Sequence, residues 1–217
     1  MTFTLNEFET MGMKAARGAG LDWGIAEEAG KAVRWLAERN LPGAELLAEL
    51  LTRNDGKCYD DLAPVSIEGI WTAKSGCLCP LIVGVTLADR AETLAPSRGL
   101  EIGEVAFPLL IAPYAAISAK VLRAPIELRW SGVTLTVASS DGFAIEGSDR
   151  DVFVSTAGSA QCRVLENSKV ASSVVASVRR AIDMDIWNRL SAFAHRTYAP
   201  ATKTSRELGA GSDLIDD

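Results

Sequence analysis

Residues 126–137 have the sequence IELRWSGVTLTV. On both sides of Ser131 and Gly132, apolar side chains alternate with polar ones, which is the period of a strand with one buried face. A two-residue loop that contains glycine is typical of a tight connection between antiparallel strands. This stretch therefore predicts a β-hairpin, and we expect the fold to be organised around it.

Further strands are predicted on the C-terminal side of the hairpin. Asp141 and Gly142 form the next turn signal, and strand patterns follow at residues 143–146, 152–156 and 161–165. The gaps between these segments are too short for crossover helices. Antiparallel pairing is therefore expected throughout.

Two uncharged runs lie on the N-terminal side of the hairpin, at residues 75–88 and 105–119. Both are shorter than the roughly 20 residues that a membrane-spanning helix requires, and prolines interrupt them. We interpret them as buried strands. The middle of the chain, residues 57–170, is thus predicted to be rich in β-structure, mostly as an antiparallel sheet.

The first 56 residues carry helical patterns instead. Thr4 and Glu7 have the spacing of a capping box, and apolar residues at helical intervals predict a first helix that ends near Gly18. A second helix is predicted after Asp22. A third should follow Pro42 and stop near residues 54–56.

A helical pattern returns after Asp183 and is expected to end near Pro200, followed by an irregular tail. No linker rich in proline, glycine or serine divides the chain, so residues 1–217 are predicted to form a single domain. Its parts are residues 1–56, 57–170 and 171–217. The predicted fold class is α+β, with an N-terminal helical segment, a central mostly antiparallel β-sheet and a C-terminal helix.

The composition excludes several classes of partner. The net charge is −6, and the lysines and arginines are not clustered, so neither nucleic acid nor an anionic membrane surface is expected as a partner. Glu7 and Glu9 lie where a secretory signal would be apolar. Four cysteines in 217 residues do not form a dense disulfide framework, which indicates reduced thiols and a cytoplasmic location.

The common catalytic signatures are absent from the sequence. His195 is the single histidine, which excludes sites that need two imidazoles, and neither a Gly-x-Ser-x-Gly elbow nor a phosphate-binding loop occurs. Cys77 and Cys79 are expected to lie buried on one face of a strand. No metal or cofactor is therefore expected, and the catalytic residues, if the protein is an enzyme, are unknown.

The second predicted helix carries a possible binding edge. Trp23, Glu27 and Arg34 fall within about 60° of one another on a helical wheel, beside the apolar face. Arg34 would clamp a carboxylate or phosphate and Trp23 would stack on the ligand. The alternative is an internal ion pair that docks the helix. The glycines between Gly18 and Gly24 resemble a phosphate loop but follow a helix, which favours a tight turn.

The C-terminal tail is richer in side-chain functions than a linker requires. Its hydrogen-bonding groups are Tyr198, Thr202, Ser205 and Arg206. We predict that residues 200–211 fold back over the protein or a partner chain, and that these four groups contribute to a ligand site. The alternative is a flexible tail.

Two regions carry a family resemblance. Residues 16–30 and 34–36, together with residues 196–202 and 205–211, resemble a family of uncharacterised bacterial proteins, a domain of unknown function, of similar length. The resemblance extends over essentially the whole chain and implies a bacterial cytoplasmic setting without an established activity. Lys203 stands where the resemblance leads us to expect an acidic residue.

Two functional hypotheses follow. The first is a cytoplasmic protein, enzyme or ligand-binder, that handles a polar or anionic small molecule at the edge formed by Trp23, Glu27 and Arg34 together with the tail. The second is a non-catalytic interaction or assembly protein, in which the sheet or tail pairs with another copy in a homo-oligomer or with a partner subunit.

Overall fold

The fold of the chain is described by a computed structural model, which covers residues 1–94, 99–166 and 179–198. Thr202, Ser205 and Arg206, and with them the predicted folding back of the tail, lie outside the described residues. The helices in chain order are α1 (Leu5–Gly18), α2 (Trp23–Glu38), α3 (Gly43–Asn54), α4 (Tyr59–Leu62), α5 (Pro80–Asp89), α6 (Ala112–Leu122), α7 (Asp149–Val152) and α8 (Met184–His195). The strands are β1 (Thr2–Thr4), β2 (Leu100–Ile102), β3 (Val105–Ala106), β4 (Ile126–Trp130), β5 (Val133–Val137), β6 (Phe143–Glu146), β7 (Thr156–Ala157), β8 (Ala160–Val164) and β9 (Arg179–Ala181).

The N-terminal helices are confirmed as predicted. The Thr4 hydroxyl accepts a hydrogen bond from the Glu7 N–H at 3.3 Å, and the Glu7 carboxylate accepts one from the Thr4 N–H at 2.7 Å, which completes the capping box. Helices α1, α2 and α3 follow with short turns between them. Helix α8 packs against α1 and α3, and at Gly18 an added Cβ would collide with the Phe193 carbonyl. Glycine at this position lets the two helices touch.

The predicted hairpin lies within a five-stranded antiparallel sheet of order β2-β8-β4-β5-β6. Strands β4 and β5 pair with Trp130 opposite Val133, and the two loop residues Ser131 and Gly132 both have positive φ, as the tight turn requires. Helix α6 packs on β4 and β5. Strand β1 pairs with β9, a contact between the chain's two ends that sequence patterns did not reveal.

The opposite face of the sheet is polar. The Glu127 carboxylate is buried beneath two guanidinium groups, with its Oε1 atom 2.8 Å from Arg129 Nε and 2.6 Å from Arg163 Nε. Arg163 lies directly across the ladder from Glu127. The helices and the antiparallel sheet together make the fold α+β, as predicted.

The interpretation of residues 75–88 and 105–119 as buried strands is wrong. Most of the first run is helix α5, and the second contains a short 3₁₀ turn followed by α6. Pro80 and Pro113 lie in the first turns of these helices, where a missing N–H costs nothing. Both helices carry apolar residues on almost every side, so no helical period marks them in the sequence.

The strand predicted at residues 152–156 is also wrong. Ser148 caps the short helix α7 by accepting a hydrogen bond from the Asp151 N–H, and the chain becomes extended only at β7. Strand β7 pairs with β3. Residues 57–170 therefore contain the predicted sheet together with several helices. Among the described residues, no helix combines the length and apolar character needed to cross a membrane.

Candidate functional site

The predicted edge of α2 is open to solvent and engaged with α1. The Trp23 ring is 59% exposed and faces the Arg17 guanidinium at 5.3 Å. Arg34 binds the carboxylates of Glu9 at 2.9 Å and Glu38 at 3.0 Å. Arg34 therefore docks α2 on α1 through Glu9, whereas Glu27, the partner expected from the sequence, is exposed.

Tyr198 lies on the other side of α1. Its ring meets the exposed His195 ring edge-on and the Lys14 ammonium at 5.8 Å, and it lines a shallow groove of about 310 Å³ between α1 and α8. Asn6 also lines this groove and accepts a hydrogen bond from Arg34. Ligand binding by Trp23, Glu27, Arg34 and Tyr198 stays a prediction.

A more enclosed cavity lies where the ends of α1 and α3 meet the start of α5. Its volume is about 120 Å³. The floor is formed by apolar side chains and one buried thiol, and the rim carries polar groups. The lining residues are Ala19, Gly20, Leu21, Asp22, Leu50, Leu51, Asn54, Lys57, Tyr59, Leu62, Cys79 and Leu81. We call this space the α5 cavity.

The turn between α1 and α2 forms one wall of the α5 cavity. Gly20 has a φ of +100°, which lets the chain reverse direction after α1. The Leu21 N–H donates to the Ala16 carbonyl at 3.2 Å, and Arg17 Nη1 donates to the Leu21 carbonyl at 2.9 Å. The glycine-containing segment is thus the tight helix-to-helix turn that its position after a helix indicated.

Cys79 provides the buried thiol of the floor, at the N-cap of α5. Burial raises the pKa of this thiol to about 11, although hydrogen bonds from the backbone N–H groups of Ile82 and Leu81 act in the opposite direction. The thiol is therefore neutral near pH 7 and serves as a packing and hydrogen-bonding group. The prediction that Cys77 and Cys79 share a strand face is wrong, because Cys79 begins a helix and Cys77 is half-buried.

The rim brings several polar side chains together. Lys57 Nζ donates to Asn54 Oδ1 at 3.4 Å, and the Asn54 amide lies close enough to Cys79 to act against the rise in the pKa of its thiol. Asp22 is the N-cap residue of α2, yet its side chain makes no capping hydrogen bond. The rim therefore offers an ammonium, a carboxylate, an amide and the phenol of Tyr59 around an apolar floor.

Some residues that line the α5 cavity could be singled out from the sequence, but their meeting in one cavity could not be predicted. Asp22, Gly20 and Cys79 were each singled out, for a cap, a turn and a buried thiol. Asn54 was noted only as part of the signal that ends the third helix. Lys57 and Tyr59 had no separate signal, because they follow α3 in a segment that resembles an ordinary loop. In the described ranges, no group of three or more His, Cys, Asp or Glu side chains is arranged to hold a metal ion.

Alkaline pH tests the burial of the thiols. The pKa values of Cys79 and Cys162 are raised by burial from the ordinary 9.0 to about 11 and about 12. The thiols lose their protons at a lower pH in the unfolded chain than in the folded chain. Their contribution to the free energy of unfolding is therefore fully present below pH 9.0 and falls as the pH rises from there toward 11. We expect each thiol to lower the free energy of unfolding by about 1.4 kcal/mol per pH unit in this range. Urea unfolding across the range should show a shallower decline for Cys79→Ala, and equal slopes would contradict the assigned burial.

Comparison with known proteins gives one match. Residues 3–77 match the model of a family described as a protein of unknown function (DUF3726), and they include most of the residues that line the α5 cavity. No curated protein and no solved structure matches the chain. The chain thus carries, over residues 3–77, the sequence pattern of an uncharacterised family, and the resemblance predicted for the whole chain is confirmed for this part.

Proposed function

We propose that the protein binds a small molecule with a compact apolar body and a polar or anionic head in the α5 cavity. The observation that supports this proposal is the arrangement of the cavity itself, an apolar floor closed by Leu50, Leu51 and Leu62 beneath a polar rim. Ligand sites in proteins commonly combine apolar walls with a few convergent polar groups.

The size of the cavity limits what it can enclose. A volume of 120 Å³ equals that of about four water molecules in the liquid. The cavity therefore suits a short branched alkyl group, while the head of the molecule stays at the rim. There Lys57 supplies a positive charge to a carboxylate or phosphate, and Asn54 supplies an amide.

The proposal is one of binding and does not include thiol catalysis. A reactive cysteine needs a thiolate, and the raised pKa of Cys79 keeps its sulfur protonated near neutral pH. The exposed free thiol of Cys58 supports a reducing, cytoplasmic setting as part of the same proposal.

Thermal unfolding with shape-matched probes tests the proposal. We expect isobutyrate to raise the melting temperature more than its neutral amide, because the carboxylate complements the ammonium of Lys57. A ligand at a hundredfold excess over its Kd stabilises the folded state by about 2.7 kcal/mol. Lys57→Gln should weaken binding of the carboxylate roughly three- to tenfold, since Lys57 is exposed and its charge is screened.

The matched control is Lys74→Gln. Lys74 is also an exposed lysine, with its ammonium 3.6 Å from the Asp61 carboxylate, and it does not line the cavity. The Lys74→Gln substitution should leave the rise in melting temperature with isobutyrate unchanged. A melting temperature that no probe raises would overturn the proposed ligand class, and equal losses in the two variants would remove Lys57 from the site.

A further inference from the structure

Residues 64–71 form an apolar ridge on the surface. Three β-branched side chains project from it, and Val65, Ile67 and Ile70 are 65%, 45% and 62% exposed. Isolated apolar residues on a surface are ordinary, whereas a contiguous apolar patch on the order of a few hundred Å² is often functional. We call this segment the apolar ridge.

The apolar ridge is anchored at both ends. The Val65 N–H donates to the Thr72 carbonyl at 2.9 Å, beside a bridge between Pro64 and Ala73. The buried Trp71 donates its backbone N–H to Glu101 of β2 at 2.9 Å. The first bond closes the backbone of this segment on itself, and the second attaches it to the edge strand β2.

A groove lies on each side of the apolar ridge. One, of about 400 Å³, is lined by Tyr59, Ala63, Pro64, Val65, Ile67 and Thr86, together with the carboxylate of Asp60. The other, of about 790 Å³, includes Ile67, Ile70, Leu87 and Leu100 in its wall. A ridge beside a groove is complementary to itself under a two-fold rotation, because each copy can seat its ridge in the groove of the other.

The area of the patch fits a dimer. Tyr59 is 48% exposed, and with the three ridge side chains it presents on the order of 400 Å² of surface. A standard interface buries about 800 Å² per partner, of which slightly more than half is apolar. The ridge and its first groove thus supply nearly all of the apolar area that a stable dimer needs.

We infer that the apolar ridge is the interface of a homodimer, with a second copy of this chain as its occupant. Val65 and Ile67 of each copy enter the groove beside Tyr59 of the other. Tyr59 also belongs to the rim of the α5 cavity, so the partner lies next to that rim. The inference rests on the exposed surface alone and does not depend on the proposed ligand.

Sedimentation equilibrium in a reducing buffer tests the dimer, since the reductant prevents Cys58 from linking two chains. The expected mass is twice the 23.1 kDa of one chain. The triple variant Val65→Ser, Ile67→Ser, Ile70→Ser should dissociate at least about tenfold more readily. Because these side chains are exposed, its melting temperature at monomeric concentration should stay high.

The control removes exposed apolar groups elsewhere. Ile117 and Val121 are exposed on α6, and the variant Ile117→Ser, Val121→Ser should dimerise as the natural chain does. A natural chain that sediments as a monomer at every concentration would overturn the inference. A dimer that survives the triple substitution, or that the α6 control weakens equally, would place the interface elsewhere.

Discussion

Gly84→Ala is expected to destabilise the protein by roughly 3 kcal/mol, at the upper end of the cost of overpacking a core. A Cβ atom at position 84 would lie 2.1 Å from the Cδ2 atom of Tyr114. Tyr114 is completely buried, at the contact between α5 and α6. Neither the ring nor the helices can move aside, so the cost should appear as a lower midpoint in urea unfolding.

The control for this substitution is Gly24→Ala. Gly24 also lies in a helix, and a Cβ added there meets nothing within 4 Å. The variant should be neutral or more stable by up to about 1 kcal/mol, because alanine favours the helical conformation. Equal stability of the two variants would contradict the close packing of α5 against α6.

The amphipathic elements of this fold were predictable from the sequence and the buried ones were not. Helices α1, α2, α3 and α8 each have one apolar face, and the hairpin of β4 and β5 alternates apolar and polar residues. The regular spacing of apolar residues along the sequence identifies such segments. Helices α5 and α6 carry apolar residues on nearly all sides, including the exposed Ile117 and Val121 of α6. A uniformly apolar run fits a strand or a helix equally well.

The candidate site was less predictable because it depends on contacts between distant segments. The α5 cavity joins residues 19–22, 50–62 and 79–81, and no local pattern indicates that these segments meet. The predicted edge of Trp23, Glu27 and Arg34 does lie along α2, and Arg34 does make an ion pair. Its partner Glu9 belongs to another helix, which a wheel drawn for α2 alone does not include.

Leu62→Phe is expected to remove ligand binding at the α5 cavity. Leu62 is buried and lines the cavity from α4, and the larger ring would take up part of a space that holds only about four water volumes. We expect the affinity for isobutyrate to fall at least about tenfold, since the alkyl group loses its place. Leu62→Met, which conserves volume, should retain binding.

The stability of both variants gives a check that is independent of binding. Because the α5 cavity offers room for the ring, Leu62→Phe should unfold at a denaturant concentration close to that of the natural chain. Leu62→Met should behave in the same way. A strongly destabilised Leu62→Phe would mean that the ring points into the packed core instead of the cavity.

The proposed function requires the α5 cavity to hold the apolar part of a small anionic molecule. Isothermal titration of isobutyrate into the natural chain, Leu62→Met and Leu62→Phe tests it most directly. We expect saturable binding at one site per chain for the first two proteins and at least about tenfold weaker binding for the third. Equal affinity in all three proteins would contradict it, as would the absence of binding to the natural chain.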